Sequence, residues 1–365
     1  MKKRLLFTLV YCLATLLTTT VLLALARGNA VFAEWYASHI FPLFTHTLGR
    51  LFSLFPFSVG EMLLINVVIG LLAMLIYSLT MLVRSAASRA LLFRLSLRLI
   101  PAFGAFCCSL LLIFTLSFGI NYSRAPLAHS LGIELYPSST QELKKLFFLL
   151  CEETAALGAG IQLDGEGYFL PLEQPSQPSL KAMRELGGKY PLFSAYYPKP
   201  KPVLFSTVMS YLQLAGIYSP FTCEANYNRH MPPDDLPFSI CHELAHQNGF
   251  AREDEANFVA YLACVESANN DLAYSGLLNA LSYVLNALYK DIDGAEYRII
   301  VACLPPQALK DMQRNARFWQ KYAGSAANFS AQVNDHYLKA NNQADGVKSY
   351  GRMVDLLLAY YRQEV

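Results

Sequence analysis

LIPAFGAFCCSLLLIFTLSFGI, residues 99–120, is a run of 22 residues without a single charged side chain, and Asn121 follows it. As a helix rising about 1.5 Å per residue it would reach about 33 Å, enough to cross a hydrocarbon layer of about 30 Å. Working back toward the amino terminus, Leu5 to Ala26 and Met62 to Val83 are two more uncharged runs of the same length. Three such runs within the first third of the chain predict a membrane anchor over residues 1–120, with spans at 5–26, 62–83 and 99–120 and the lipid bilayer as its partner.

Working forward, the composition changes. Up to residue 120 the chain carries 9 Lys and Arg against 2 Asp and Glu, and beyond it 20 against 25. The net charge of +2 therefore joins a basic, apolar front to a mildly acidic back of soluble composition. With 54% hydrophobic and 15% charged residues overall, a wholly soluble, disordered or nucleic-acid-binding chain is excluded. Basic residues also set the expected orientation. Lys2, Lys3 and Arg4 precede the first span, and Arg84, Arg89, Arg94 and Arg98 fill the second connection, whereas the first connection holds only Arg27 and Arg50. The amino terminus is thus expected in the cytoplasm of a multi-pass cell-membrane protein, and residues 121–365 outside it. The aromatic first connection, with Trp35, Tyr36, Phe41, Phe44, Phe52, Phe55 and Phe57, is expected at the outer interface.

Residues 121–365 read as one α+β domain, mostly helical. Ser139 and Glu142 form a capping box opening a helix that ends near Gly158 and Gly160, and a short helix is expected over Ser179 to Leu186. Val203 to Met209 and Ile217 to Asn228 have the β-branched and aromatic content of strands. Helical spacing recurs over Asp271 to Lys290, Ala295 to Cys303, Pro306 to Trp319, Ser330 to Lys339 and Ser349 to Arg362. The eight cysteines show no C-x-x-C spacing, and five, an odd number, fall in the outer domain, so they read as buried thiols rather than a disulfide framework.

The chemistry lies in His242-Glu243-Leu244-Ala245-His246, an H-E-x-x-H pattern. Imidazoles at i and i+4 leave one helix face together and can share a zinc ion, with Glu243 beside the metal as general base. A third ligand is needed. Continuing as H-E-x-x-H-x-x-G-x-x-H matches Gly249 but meets Arg252, which cannot ligate a cation. A carboxylate after the Gly249 turn is the other route. Glu255 shares a face with Phe258, Val259 and Leu262 and is expected to point inward, ahead of Glu253, which groups with Asn257 and Ala260, and of Asp254. Candidate oxyanion donors are Tyr350 and His230, with His336 and Tyr227 behind them. Arg252 is expected in a surface ion pair with Asp254 or Glu253.

His242-Glu243-Leu244-Ala245-His246 followed by Glu255-Ala256-Asn257 resembles the gluzincin zinc peptidases, and the Glu-Ala-Asn segment resembles that of ImmA/IrrE-type peptidases, whose third ligand is its Glu. Over nearly its whole length, including Pro220 to Asn226, Tyr337 to Asn341 and Gly346 to Tyr350, the chain is similar to an uncharacterised bacterial membrane family, domain of unknown function 3810. The zincin resemblance implies a zincin-like fold, a bound zinc ion, and a substrate strand, here Thr222, Cys223, Glu224, Ala225 and Asn226, whose edge pairs with a peptide or protein substrate. The expectation is a membrane-anchored zinc peptidase acting at the outer face of the membrane. The alternative is an inactive zinc-binding, scaffolding or sensor protein. An intramembrane protease is disfavoured because Asn226, Arg229, Asp234, Asp235, Gln247 and Asn248 place the motif in water.

Overall fold

A computed structural model describes residues 2–83, 86–158 and 160–364. Arg84, one of the arginines used to orient the chain, lies outside them. Three helices are long and apolar enough to cross a membrane: Lys3–Gly28, Val59–Leu82 and Leu95–Ser117, the last being the end of helix Ala86–Ser117. Their side chains are largely exposed, as expected of surface that lipid would cover. The third span stops short of its expected end. Phe118 leaves the helical conformation and Gly119–Ser123 forms a 3-10 turn, with Phe118, Ile120 and Tyr122 buried in an aromatic cluster beside Tyr218.

The first connection is folded rather than draped. Asn29 caps helix Ala30–His39 by accepting from Phe32 N–H. Beyond it, Thr45 donates to the carbonyl of Gln247, and Phe41 is buried. The expected boundary at residue 120 therefore cuts across a packed contact, since residues 29–58 rest on the region that follows the third span.

In that region the capping box forms as expected: Ser139 N–H donates to Glu142 at 2.8 Å and Glu142 N–H to Ser139 Oγ at 3.3 Å, opening helix Thr140–Gly158. Helices Ser176–Lys189, Leu236–Gln247, Glu253–Val265, Asn270–Asp291 and Met353–Glu364 join it around the main core, where Phe147, Leu150, Met183, Leu244, Phe258, Tyr261 and Leu357 are almost fully buried. The first of these is longer than the expected Ser179 to Leu186, running on through Gly187 and Gly188. Gly294–Ala302, Pro306–Lys321 and Ser325–Ala340 complete the helical majority.

The sheet has three short strands, β1 (Lys201–Pro202), β2 (Gly216–Ser219) and β3 (Glu224–Tyr227), in the order β1-β3-β2. Strand β3 pairs parallel with β1 and antiparallel with β2. Two expectations change here. Val203 to Met209 is not a strand: Ser206–Tyr211 is a helix, because only Ser206, Met209 and Ser210 turn inward, a helical spacing. Residues 217–228 are a hairpin broken at Pro220. No disulfide forms among the described residues, and Cys151, Cys223, Cys241 and Cys264 are buried, whereas Cys303 is exposed.

Candidate metal centre

The motif occupies helix Leu236–Gln247, buried along almost its whole length. It packs against helix Glu253–Val265 across a turn at Gly249, whose φ of +86° belongs to glycine and where a Cβ would meet Asn121 and Phe41 at 3.0 to 3.1 Å. That reversal faces the two helices together.

His242 Nε2 and His246 Nε2 both point at one oxygen, Glu253 Oε2, at 3.3 and 3.4 Å. Glu253 Oε2 has no hydrogen-bond partner by geometry, and neither has His242 Nδ1. His246 Nδ1 lies 2.7 Å from the carbonyl of Phe250, an arrangement that keeps a proton on Nδ1 and makes Nε2 the nitrogen that faces the centre. Three ligand atoms within 4.8 Å of one another suit a tetrahedral ion. Bonds of about 2.0 to 2.1 Å put tetrahedral ligands about 3.3 to 3.4 Å apart, the separation found here between the carboxylate and each imidazole. The donor set of two imidazoles and a carboxylate fits zinc.

The expected third ligand is corrected. Glu255 does point inward, as its apolar neighbours implied, but to the wrong side: Leu127 N–H donates to it at 2.7 Å and Arg252 at 2.5 Å. Glu253 takes the place beside the histidines. Asp254 faces Arg352 instead, at 3.4 Å. Arg252 is likewise corrected from a surface pair to a half-buried tie that also donates to the carbonyls of Arg124 and Ala125.

Glu243 is 5% exposed, and its Oε2 has no hydrogen bond. Burial pushes its carboxyl up to about 7 against the pull of His242 and His246. Burial alone would lower His246 and raise Glu253, but their mutual attraction wins in both, raising the imidazole and lowering the carboxyl. Protons thus hold the charge balance of a site whose donors suit a cation. Gly216 on β2 is what gives Glu243 room, since a Cβ there would lie 2.4 Å from Glu243 Oε1 and 2.5 Å from its Cγ.

A cavity of about 350 Å³ opens beside the centre, lined by Gly216, His242, Glu243, Asn257, Tyr283 and Tyr350 among others. Tyr350 is therefore in place. It accepts from Asn334 at 3.3 Å, and burial and then the charge of Glu253 raise its phenol well above the usual range. Tyr122 and Tyr337, joined at 3.1 Å, also feel that charge, as does Tyr283. Sequence reading gave none of these three rings, nor Asn257, a place at the centre, because no motif assigns them one. Asn257 had one available signal, its position four residues after Glu253 on the same helix face.

His230 is not brought to the site: it is exposed and packs on Phe318 and Tyr322, with Nδ1 3.2 Å from Ser210. His336 is exposed on helix Ser325–Ala340 and pairs with its own backbone at Gln332. Tyr227 lies in the core. The expected substrate strand is corrected too. Glu224, Ala225 and Asn226 belong to β3, which is central and hydrogen-bonded on both edges, so no edge is left for a substrate. Thr222 is buried against Ser219, and Cys223 is buried at a φ of +51°. Glu224 is a tie instead, holding Lys201 at 2.5 Å and accepting from Val59 and Gly60 N–H where the second span begins.

A family model described as Protein of unknown function (DUF3810) matches residues 36–358, which contain the whole centre. No curated protein and no solved structure matches the chain.

Proposed function

We propose, from the premise that this chain belongs to the DUF3810 family, that it is a membrane-anchored zinc-dependent peptidase with a zincin-like catalytic region. The observation that carries the reading is the convergence of His242 Nε2 and His246 Nε2 on one Glu253 oxygen, at 3.3 and 3.4 Å, beside a buried Glu243 whose Oε2 has no hydrogen-bond partner. Zinc, when bound there, supplies a Lewis acid that polarises a carbonyl and acidifies water.

The residues supply the rest. Glu243 accepts a proton from the attacking water as its oxygen adds to the peptide carbonyl carbon, then returns it to the amine nitrogen as the C–N bond breaks. Glu243 is buried and its Oε2 has no hydrogen-bond partner, so no other donor competes for the proton it takes up and returns. Tyr350, kept protonated, donates toward the oxygen on which charge develops. Substrate alignment falls to β2 rather than β3. Among the described strands β2 has only β3 beside it, and the alternation of an antiparallel ladder turns the backbone groups of Gly216 outward next to Glu243.

The basic residues before the first span and the charge-poor first connection support an extracytoplasmic centre. A reporter fused after residue 125 is expected to be active only outside the cytoplasm. For the chemistry, Glu243→Gln is expected to abolish hydrolysis of a peptide library while the purified chain retains one zinc per molecule. Hydrolysis at the unaltered rate, or an unaltered chain that binds no zinc, would sink the peptidase reading.

A further inference from the structure

Pro202 to Cys223 is a fourth run of 22 residues without Lys, Arg, Asp, Glu or His, yet it is no span: it folds as helix Ser206–Tyr211 and strand β2. Leu204, Phe205, Val208 and Tyr211 are each 51 to 57% exposed. This apolar arm is fastened to the second span. Glu61, in the first turn of helix Val59–Leu82, accepts from Leu204 N–H at 2.8 Å and Phe205 N–H at 2.9 Å.

Helix Ser325–Ala340 is a second arm. Phe329 and Val333, four residues apart and 66 and 53% exposed, share one face. It is fastened to the other two spans: Arg27, at the end of the first, donates to the carbonyl of Ala340 at 3.0 Å, and the ring of Tyr337 packs 6.1 Å from Phe114 near the end of the third.

We infer that both arms lie in the interfacial layer of the bilayer that the three helices cross, and that the metal-centre cavity opens between them at the bilayer surface. The span ends at Gly28, Val59 and Ser117 all lie on one side of the spans and mark a single interface, and each arm is held to one or two of them. Apolar side chains this exposed and this close to the ends of lipid-covered helices are continuous with the surface that lipid already covers, which makes lipid their occupant. The cavity joins the two arms. Its wall runs through Leu212 to Gly216, immediately after the first arm, and through Ala327, Ser330, Ala331 and Asn334 of the second. On the peptidase reading, on which this consequence rests, a substrate segment is met within reach of the membrane.

The test uses the full-length chain in lipid nanodiscs, with Trp35→Phe and Trp319→Phe removing both native tryptophans. Single tryptophans are placed by Phe205→Trp, by Val333→Trp, and by Ile299→Trp on helix Gly294–Ala302, a control at least as exposed but fastened to no span among the described residues. Replacing the phosphatidylcholine by its acyl-brominated form is expected to quench the first two at least twofold and to leave the third unchanged. Quenching at 205 and 333 no greater than at 299 overturns the inference. The readout needs no hydrolysis, so its failure is distinct from failure of the peptidase reading.

Discussion

Helix Glu253–Val265 carries two glutamates two residues apart on different faces, equally buried at 6 and 7% exposure, yet they meet opposite surroundings. Glu255 faces donors, the Leu127 amide and the Arg252 guanidinium, and is satisfied by them. Glu253 faces two imidazole nitrogens, and among the described residues the three ligand atoms are shared with no other side chain that could hold a cation's place. The pKa directions record the contrast: burial outweighs Arg252 and raises Glu255, whereas His246 and His242 outweigh burial and lower Glu253. A buried carboxylate's role is set by what faces it, and depth of burial alone does not distinguish a ligand from a structural tie.

The sharpest way to break that contrast is to exchange the two glutamates' fates. Glu253→Gln is expected to weaken zinc binding by roughly 100-fold or more, since changes one shell further out already cost about 10 to 100-fold, and Glu255→Gln is expected to keep its zinc. Metal content after dialysis reads both, and loss of zinc from Glu255→Gln alone would reverse the assignment. Next in size is Gly216→Ala, which pushes Glu243 off its position while leaving the ligands alone. Its kcat is expected to fall about 100-fold, as for a misplacement of about 1 Å in a reacting group, with zinc retained. Glu255→Ala, which leaves the Leu127 N–H and the half-buried Arg252 guanidinium without their acceptor, should instead lower the unfolding free energy by about 2 kcal/mol. Denaturant midpoints would show it.

Sequence reading went as far as local periodicity reaches. Spacing along one helix is a local property, so the histidines, Glu243 and the capping box at Ser139 were legible before any tertiary contact was known. Glu255 was favoured because an apolar stripe usually marks the single buried side of a helix, but this helix is buried on nearly every side and the stripe no longer says which side faces the two histidines. The rank of a strand within its sheet is not local either. Residues 222–226 have strand composition, but that β3 is flanked on both edges depends on Lys201–Pro202, more than twenty residues upstream. Val203 to Met209 reads as a strand for its β-branched and aromatic content, when the inward positions of helix Ser206–Tyr211 follow a helical spacing and the outward ones stay exposed beside a span. Tyr122, Tyr283 and Tyr337 reach Glu253 from three separate segments, which only the assembled chain brings together.

A third glutamate sharpens the comparison at the surface, where the expected effect is smallest. Glu142 accepts from the backbone N–H and then the hydroxyl of Ser139, and from Arg362, and these donors hold its carboxyl down at about 2. A carboxyl lower in the folded chain than in the unfolded one favours folding at every pH above its unfolded value of 4.5, and that contribution is lost as the pH falls from there toward about 2. Glu142→Gln should therefore be less stable than the unaltered chain at neutral pH, with the two melting curves converging as acid is added below pH 4.5. A gap in Tm that stays constant across that window would mean that Glu142 acts through packing and not through its charge. The opposite sign is expected of Glu255, whose raised carboxyl works against folding as the pH rises, because its donors only partly offset the cost of burying it. Measured side by side, the two variants separate a charge that its donors fully support at the surface from one that burial penalises inside.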